Sequence, residues 1–297
     1  HVDSWYNASA NLKLDLPPLT EAVSTDVCII GAGYTGLSAA IHLRQLGYAV
    51  TVLEANRVAW GASGRNGGHV GTGQRVGQEQ LENWLGLDRA KALWQLGLEA
   101  VDTVCELIDQ HNIDCELKHG NLHMASKAGD ITSLPGEVEH LQSVYAYDKI
   151  RYVDGAELQD ITSARGFGGA ILDTGCRHLH PLNYALGLAR AALALGAQIH
   201  EGSRVLSYTE GKQVSVRTDR GEVRARFLIV ACNGYLEKLE PRAAGRIMPI
   251  NNYMLATEPL PDALARRVTR DDTSMSDSRF VINYWKLSAD NRLLFGG

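Results

Sequence analysis

Three glycines and one glutamate carry the clearest chemical signal in this sequence of 297 residues. Gly31, Gly33 and Gly36 form a G-x-G-x-x-G pattern directly after an apolar run, and Glu54 ends the next apolar run. In such a pattern the glycines permit a tight turn and bring backbone close to a pyrophosphate, while the acidic residue accepts hydrogen bonds from ribose hydroxyls. A helix beginning at the turn adds unpaired N–H groups and its positive dipole end. These residues predict a dinucleotide site in preference to an ordinary strand–turn–helix.

A glycine-rich loop over residues 60–73 follows Glu54 and bears on which dinucleotide is bound. Its backbone N–H groups can continue along a pyrophosphate towards a flavin ring, whereas simple NAD dehydrogenases run directly into another β-α unit. Arg65 in this loop could pair with the pyrophosphate through two parallel hydrogen bonds, or extend into solvent. The loop favours FAD over NAD, and the alternative is a flexible surface connector.

Periodic patterns predict the elements that must position these residues. The β-α-β unit over residues 26–54 is followed by an amphipathic helix over residues 88–112, in which apolar side chains recur every three or four positions. A further helix begins at Pro181, where proline suits the first turn. Residues 279–287 are typical of a late strand. The order of these elements predicts an interrupted fold, in which a mixed sheet is inserted into the dinucleotide-binding part.

Composition and charge argue against several classes of partner. With 45% hydrophobic residues, 21% charged residues and a formal net charge of −5, the chain has no basic surplus for nucleic acid or acidic lipid. No apolar run is long enough for a membrane span, and five scattered cysteines without a C-x-x-C pair indicate reduced thiols and a cytoplasmic protein. His178 and His180 have the spacing of a metal pair, but a role at the helix start is preferred and no metal site is predicted. The oligomeric state stays open.

Five segments of the chain resemble one family of flavoenzymes. The glycine motif and its helix resemble the D-amino-acid-oxidase-like FAD oxidoreductases, most narrowly the gamma-glutamylputrescine oxidoreductase group. The combination of SGRNGG with H-x-HPLN is far more specific than the glycine motif alone. The resemblance runs in order over nearly the whole chain, through the segments GAGYTGLSAAIHLRQLGYAVTVLEA, WGASGRNGG, HLHPLNYALGLARAALALGA, FLIVACNGY and ADNRLLFGG.

The resemblance implies an activity and a cofactor. Members of this family bind FAD, covalently or not, and oxidise a C–N bond: the amine gives hydride to the flavin, the imine hydrolyses, and oxygen is usually reduced to hydrogen peroxide. The substrate implied here is γ-glutamylputrescine or a polyamine-like amine. One alternative is an oxidase or dehydrogenase of sarcosine-type N-alkyl amino acids, for which Arg65 and Lys286 are candidate cations for the α-carboxylate. Another is a non-catalytic flavoprotein subunit.

The resemblance also implies which residues contact the cofactor. The glycine motif and Glu54 would bind FAD, joined by the SGRNGG loop, by a valine lying against adenine, and by a second strand end closing over the cofactor. The residues carried over in this way are Gly31, Gly33, Gly36, Glu54, Ser63, Gly64, Arg65, Asn66, Gly67, Gly68, Val205, Ala231 and Gly234.

Two side chains are expected to serve catalysis. His69 follows the SGRNGG loop and could hydrogen-bond the flavin or the substrate; the alternative is a loop histidine in solvent. Tyr284 and Trp285 lie on a strand that in relatives faces the substrate cavity, or are ordinary sheet aromatics. Because strand side chains alternate, only one of them can face inward, and Tyr284 is favoured.

The expected architecture is α/β, with an FAD-binding Rossmann-like domain of the glutathione-reductase type and an interleaved α+β substrate domain built on a mixed sheet. Residues 1–23 are expected to form an arm. Residues 24–75 and 175–240 would form the FAD domain, and residues 76–174 and 241–297 the substrate domain. Family members continue beyond the final glycines. We therefore expect this sequence to represent part of a longer protein, and the C-terminal part of the family fold to be absent from the sequence.

Overall fold

A computed structural model describes residues 1–297, which form two compact units, each assembled from three stretches of chain. The predicted roles of the two parts, cofactor binding and substrate binding, remain predictions. The first unit contains His1–Arg65, Ile108–Cys115 and Pro181–Asn251, and the second contains Asn66–Leu107, Glu116–His180 and Asn252–Gly297.

Helices occur in both units. None of them combines the length and apolar character needed to cross a membrane. The amphipathic helix predicted over residues 88–112 is confirmed as α4. The α-helices are α1 (Trp5–Ala8), α2 (Tyr34–Gln45), α3 (Gln78–Leu85), α4 (Leu87–His111), α5 (Ala128–Tyr145), α6 (Gly155–Ile161), α7 (Pro181–Ala194), α8 (Pro241–Ala244) and α9 (Asp262–Val268).

The strands form two sheets. They are β1 (Ala22–Ile30), β2 (Val50–Leu53), β3 (His69–Val70), β4 (Lys118–Ala125), β5 (Ile150–Asp154), β6 (Gly169–His178), β7 (Gln198–His200), β8 (Ser207–Thr209), β9 (Val214–Arg217), β10 (Glu222–Val230), β11 (Met254–Pro259), β12 (Ser274–Asp277), β13 (Tyr284–Leu287) and β14 (Arg292–Gly296).

The first unit is built on a sheet with the order β7-β2-β1-β10-β9-β8. The pairs β7–β2, β2–β1 and β1–β10 are parallel, and the remaining two pairs are antiparallel. All of β2 and the last four residues of β1 are buried, which is typical of parallel strands covered on both faces. Because α2 connects β1 to the parallel strand β2, the β-α-β unit predicted from the glycine spacing is confirmed.

The second unit is built on a mixed sheet with the order β11-β14-β13-β12-β4-β6-β3, in which β5 also pairs with β6. The pair β12–β4 is parallel and its neighbours are antiparallel. One face carries an apolar cluster that includes Leu122, Met275 and Trp285. In the strand registers these three residues alternate with polar ones, including Ser276 and Tyr284, which therefore lie on the opposite face. The predicted fold class, a Rossmann-like sheet with an interleaved mixed sheet, is confirmed.

The late strand is shorter than the sequence pattern predicted. Within residues 279–287 only β13 is a strand, and the preceding residues form a loop around Asp277. The Asp277 carboxylate accepts hydrogen bonds from the backbone N–H groups of Arg279 and Asn283 and from both of their side chains. Since these four donors bend the chain around one buried acid, the loop cannot continue the ladder of β13.

Candidate active site

The turn between β1 and α2 requires glycine because two stretches of backbone meet there. Gly31 has φ +106°, and a Cβ atom at this position would lie 2.6 Å from the carbonyl oxygen of Ala231. A Cβ atom at Gly36 would lie 2.0 Å from the carbonyl oxygen of Gly31. Gly33 is the N-cap of α2 and provides no side chain to cap the helix. The first turn of α2 is therefore suited to an anion.

Glu54 ends β2 beside this turn. One carboxylate oxygen accepts a hydrogen bond from the backbone N–H of Ala32 and the other from that of Asn56, both at 2.9 Å. Burial raises the pKa of Glu54 and the nearby Glu201 raises it further, while the backbone donors oppose both effects. A carboxylate offers about four lone-pair sites. Glu54 is thus fixed by backbone and still has acceptor capacity for ribose hydroxyls.

The glycine turn and Glu54 line a cleft with a volume of about 420 Å³, within the range of ligand pockets. Its walls combine a helix N-terminus, a carboxylate and apolar surface, which are the groups that a pyrophosphate, a ribose and an adenine need. The residues present therefore fit the adenosine part of a dinucleotide. Of the residues predicted to bind FAD, those lining the cleft are Gly31, Gly33, Glu54, Ser63, Val205 and Ala231.

The SGRNGG loop begins in the first unit. The Ser63 hydroxyl accepts a hydrogen bond from the backbone N–H of Tyr34, at the start of α2, at 3.1 Å. A Cβ atom at Gly64 would lie 2.2 Å from the carbonyl oxygen of Ala59, so this glycine serves close packing. The loop is therefore held against the glycine turn, which the sequence could not show.

Arg65 is held by aromatic side chains and does not extend freely into solvent. Its guanidinium lies 4.5 Å from the Trp60 ring centroid, donates to the Gly61 carbonyl oxygen at 3.2 Å and to the Tyr235 hydroxyl at 3.4 Å. Trp60 and Tyr235 both line the cleft, and sequence reasoning missed them. The position of Trp60 at the start of the glycine-rich loop was the available signal. Gly234 lies in the turn beside Tyr235 and does not line the cleft wall.

The other predicted site residues lie in the second unit. The Asn66 side chain accepts a hydrogen bond from the backbone N–H of Gly68 at 2.7 Å. His69 opens β3, where it pairs with His178, so it is not a solvent-exposed loop residue. Its Nε2 atom lies 3.3 Å from the carbonyl oxygen of Met275. Burial lowers the pKa of His69 to about 4, and the positive charge of Lys286 contributes to the shift. The ring is therefore neutral at pH 7.

Tyr284 and Trp285 point to opposite faces of the sheet. The Tyr284 ring packs edge-on to the His69 ring, with 5.6 Å between centroids, and its hydroxyl donates to the Asn252 side chain at 2.5 Å. The Trp285 ring is 9% exposed and stacks on Phe295 within the apolar cluster. The structure thus brings together the two residues predicted to serve catalysis, whose catalytic roles remain predictions.

Comparison with known proteins identifies the family of this chain. Residues 26–297 match the profile of the DAO family, described as FAD dependent oxidoreductase. The chain is 36% identical over 298 residues to gamma-glutamylputrescine oxidoreductase of Escherichia coli (strain K12), spanning 100% of this chain and 70% of that protein. The chain belongs to the DAO family. It is therefore an enzyme, an FAD-dependent oxidoreductase, and its cofactor is FAD.

Other relatives of this oxidoreductase agree in sequence or in fold. A Haemophilus influenzae protein named "Probable oxidoreductase OrdL" is 37% identical over 302 residues, spanning 100% of this chain and 70% of its own length. Glycine oxidase from Geobacillus kaustophilus superposes with a TM-score of 0.70 at 19% identity, covering 92% of this chain and 70% of that one. L-Amino acid deaminase from Proteus myxofaciens gives 0.73 at 19% identity, covering 97% and 61%. These structures establish the shared fold.

Replacing Glu54 with alanine is expected to weaken FAD binding by about 10- to 150-fold, because a hydrogen bond to a charged group contributes about 1.5–3 kcal/mol. The variant also loses the acceptor that fixes Ala32 and Asn56. Titration of FAD into the apoprotein measures the loss, with thermal unfolding of the apoprotein as a check on folding. Glu237→Ala, which removes an exposed acid from the same cleft, is the matched control. An unchanged FAD affinity for Glu54→Ala would refute the assignment.

Proposed function

We propose that this FAD-dependent oxidoreductase oxidises an amine C–N bond to an imine, which water hydrolyses, with oxygen reduced to hydrogen peroxide. The substrate is γ-glutamylputrescine or a polyamine-like amine. The observation that carries this proposal is the 36% identity to gamma-glutamylputrescine oxidoreductase over 100% of the chain. When bound, FAD supplies the two-electron acceptor for such a reaction.

The chain's own residues need to favour a neutral amine and hold it in place. A protonated amine has no lone pair to assist C–H cleavage, and an apolar wall disfavours the ammonium form. The rings of Tyr284 and neutral His69 form an uncharged aromatic wall on one face of the second sheet. With a pKa of about 4, His69 does not store a proton at neutral pH. Its role in this proposal is to place a neutral imidazole, and no charge, beside the amine.

A second candidate, oxidation of an N-alkyl amino acid, is favoured by one relative. The chain is 29% identical over 254 residues to 4-methylaminobutanoate oxidase (formaldehyde-forming) of Paenarthrobacter nicotinovorans. In a sarcosine-type substrate one carbon separates the carboxylate from the nitrogen, so a cation is needed close to the reacting nitrogen; in 4-methylaminobutanoate three carbons separate them. Arg65 packs on Trp60, and the Lys286 ammonium is buried and donates to the carbonyl oxygen of Leu179. Both candidate cations are therefore engaged within the protein, which supports the first proposal over the second.

Oxygen uptake and peroxide release, measured with the FAD-loaded protein, test the proposal. We expect the highest kcat/KM for γ-glutamylputrescine, lower values for putrescine and spermidine, and little turnover of sarcosine. Turnover of sarcosine alone would favour the second candidate. Reduction of an artificial electron acceptor without oxygen uptake would identify a dehydrogenase and contradict the peroxide step.

A further inference from the structure

Lys286 is a cation in the interior of the second unit. It lies in the middle of β13, is 3% exposed, and its ammonium donates a hydrogen bond to the carbonyl oxygen of Leu179. Burying an ammonium group is costly unless it is well partnered. Tyr284 lies two residues earlier on the same strand and therefore on the same face. Because of this cost, we expect a function of Lys286 that involves the residues that it contacts.

The two glycines that end the SGRNGG loop pack on this face of β13. A Cβ atom at Gly67 would lie 2.6 Å from the Tyr284 ring. A Cβ atom at Gly68, where φ is +70°, would lie 2.0 Å from the carbonyl oxygen of Leu179 and 3.2 Å from the Lys286 ammonium. The backbone N–H of Leu179 in turn donates to the carbonyl oxygen of Gly68 at 2.9 Å. Tyr284 and Lys286 thus lie so close to Gly67 and Gly68 that side chains at these two successive loop positions have no room.

We propose that Lys286 is a positioning residue for the predicted FAD loop. Its ammonium donates a hydrogen bond to Leu179, whose backbone N–H donates to Gly68, and this connects Gly67–Gly68 to the strand that carries Tyr284. The inference rests on the proposed assignment of residues 63–68 to FAD binding. Because the loop and β13 are joined at two successive residues, the glycine pair and the Tyr284 side chain keep one relative position. Loosening Lys286 would then disturb FAD binding without removing any predicted FAD contact.

Three histidines close to Lys286 are held neutral. His69 on β3, His178 on β6 and the adjoining His180 surround it, and burial lowers their pKa values to about 4, about 3 and about 4, with the Lys286 charge as the second cause in each case. Lys118 on β4 is paired with the Asp272 carboxylate at 2.6 Å. The charge of Lys286 therefore has a measurable signature, because its removal must raise the pKa of His69.

Three full-length variants test the proposal: Lys286→Met, Lys286→Gln and Lys286→Arg. The measurements are the FAD dissociation constant of the apoprotein and the titration midpoint of the His69 ring by NMR. Lys286→Met is expected to bind FAD about tenfold more weakly, the effect of losing one charge-assisted hydrogen bond, and to raise the His69 midpoint. Lys286→Arg should restore FAD affinity and the low midpoint. Lys286→Gln keeps an N–H donor without the charge, so its affinity should be intermediate and its midpoint raised.

The alternative outcomes are distinct. Wild-type FAD affinity and an unmoved His69 midpoint in Lys286→Met would overturn the proposal. Equal loss of FAD in all three variants with no change in midpoint would also overturn it, because that result indicates a space-filling role only. If Lys286→Met does not fold, the comparison of Lys286→Gln with Lys286→Arg decides in the same way. No amine is present in these measurements, so failure of the proposed amine oxidation is detected separately.

Discussion

Replacing Gly33 with valine is expected to give a folded protein that purifies largely without FAD. A Cβ atom at this position would lie 2.8 Å from the Ser63 hydroxyl, which accepts the hydrogen bond from the Tyr34 N–H at the start of α2. The β-branched side chain must displace Ser63 and cover the helix N-terminus that the pyrophosphate would approach. Because the clash involves a side chain and Gly33 has an ordinary φ of −91°, the fold should survive.

The ratio of flavin to protein absorbance after purification, and FAD titration of the apoprotein, measure this effect. Gly77→Val is the matched control. Gly77 is also a helix N-cap with an ordinary backbone conformation, and nothing lies within 4 Å of its Cβ position. The control should retain FAD. A fully flavin-loaded Gly33→Val protein would show that the cofactor does not approach this turn.

Tyr284→Ala and Trp285→Ala are expected to fail in different ways, because the two side chains lie on opposite faces of one strand. Tyr284→Ala removes the ring that packs on His69, so turnover should fall and KM should rise, by up to about 100-fold if the amine is displaced. Trp285→Ala leaves a cavity beside Phe295 in the apolar cluster, and we expect a loss of about 3–5 kcal/mol in the free energy of unfolding.

Steady-state kinetics and denaturant unfolding of both variants, each loaded with FAD, make the comparison. Tyr284→Phe separates the hydroxyl, which donates to Asn252, from the ring. Loss of turnover in a stably folded Trp285→Ala protein, together with a fully active Tyr284→Ala protein, would place the substrate on the other face. Normal turnover in both would exclude β13 from the active site.

The sequence by itself determined the β1-α2-β2 unit and the position of Glu54 beside the glycine turn. The elements concerned are consecutive, so their spacing already constrains which groups meet: the helix must start at the turn, and the parallel strand must return beside β1. The opposite orientation of Tyr284 and Trp285 was equally accessible, because side chains alternate along any regular strand.

Only the tertiary structure decided which distant residues meet. Lys286 reaches a carbonyl group 107 residues away, and Tyr235 contacts Arg65 across 170 residues. The strand predicted over residues 279–287 began too early for the same reason: β13 starts only at Tyr284, because Asp277 accepts hydrogen bonds from a preceding loop whose composition resembles a strand. Local patterns report periodicity and backbone preference. The partner that satisfies a buried charge is chosen by the packing of the whole unit, and no local pattern encodes that choice.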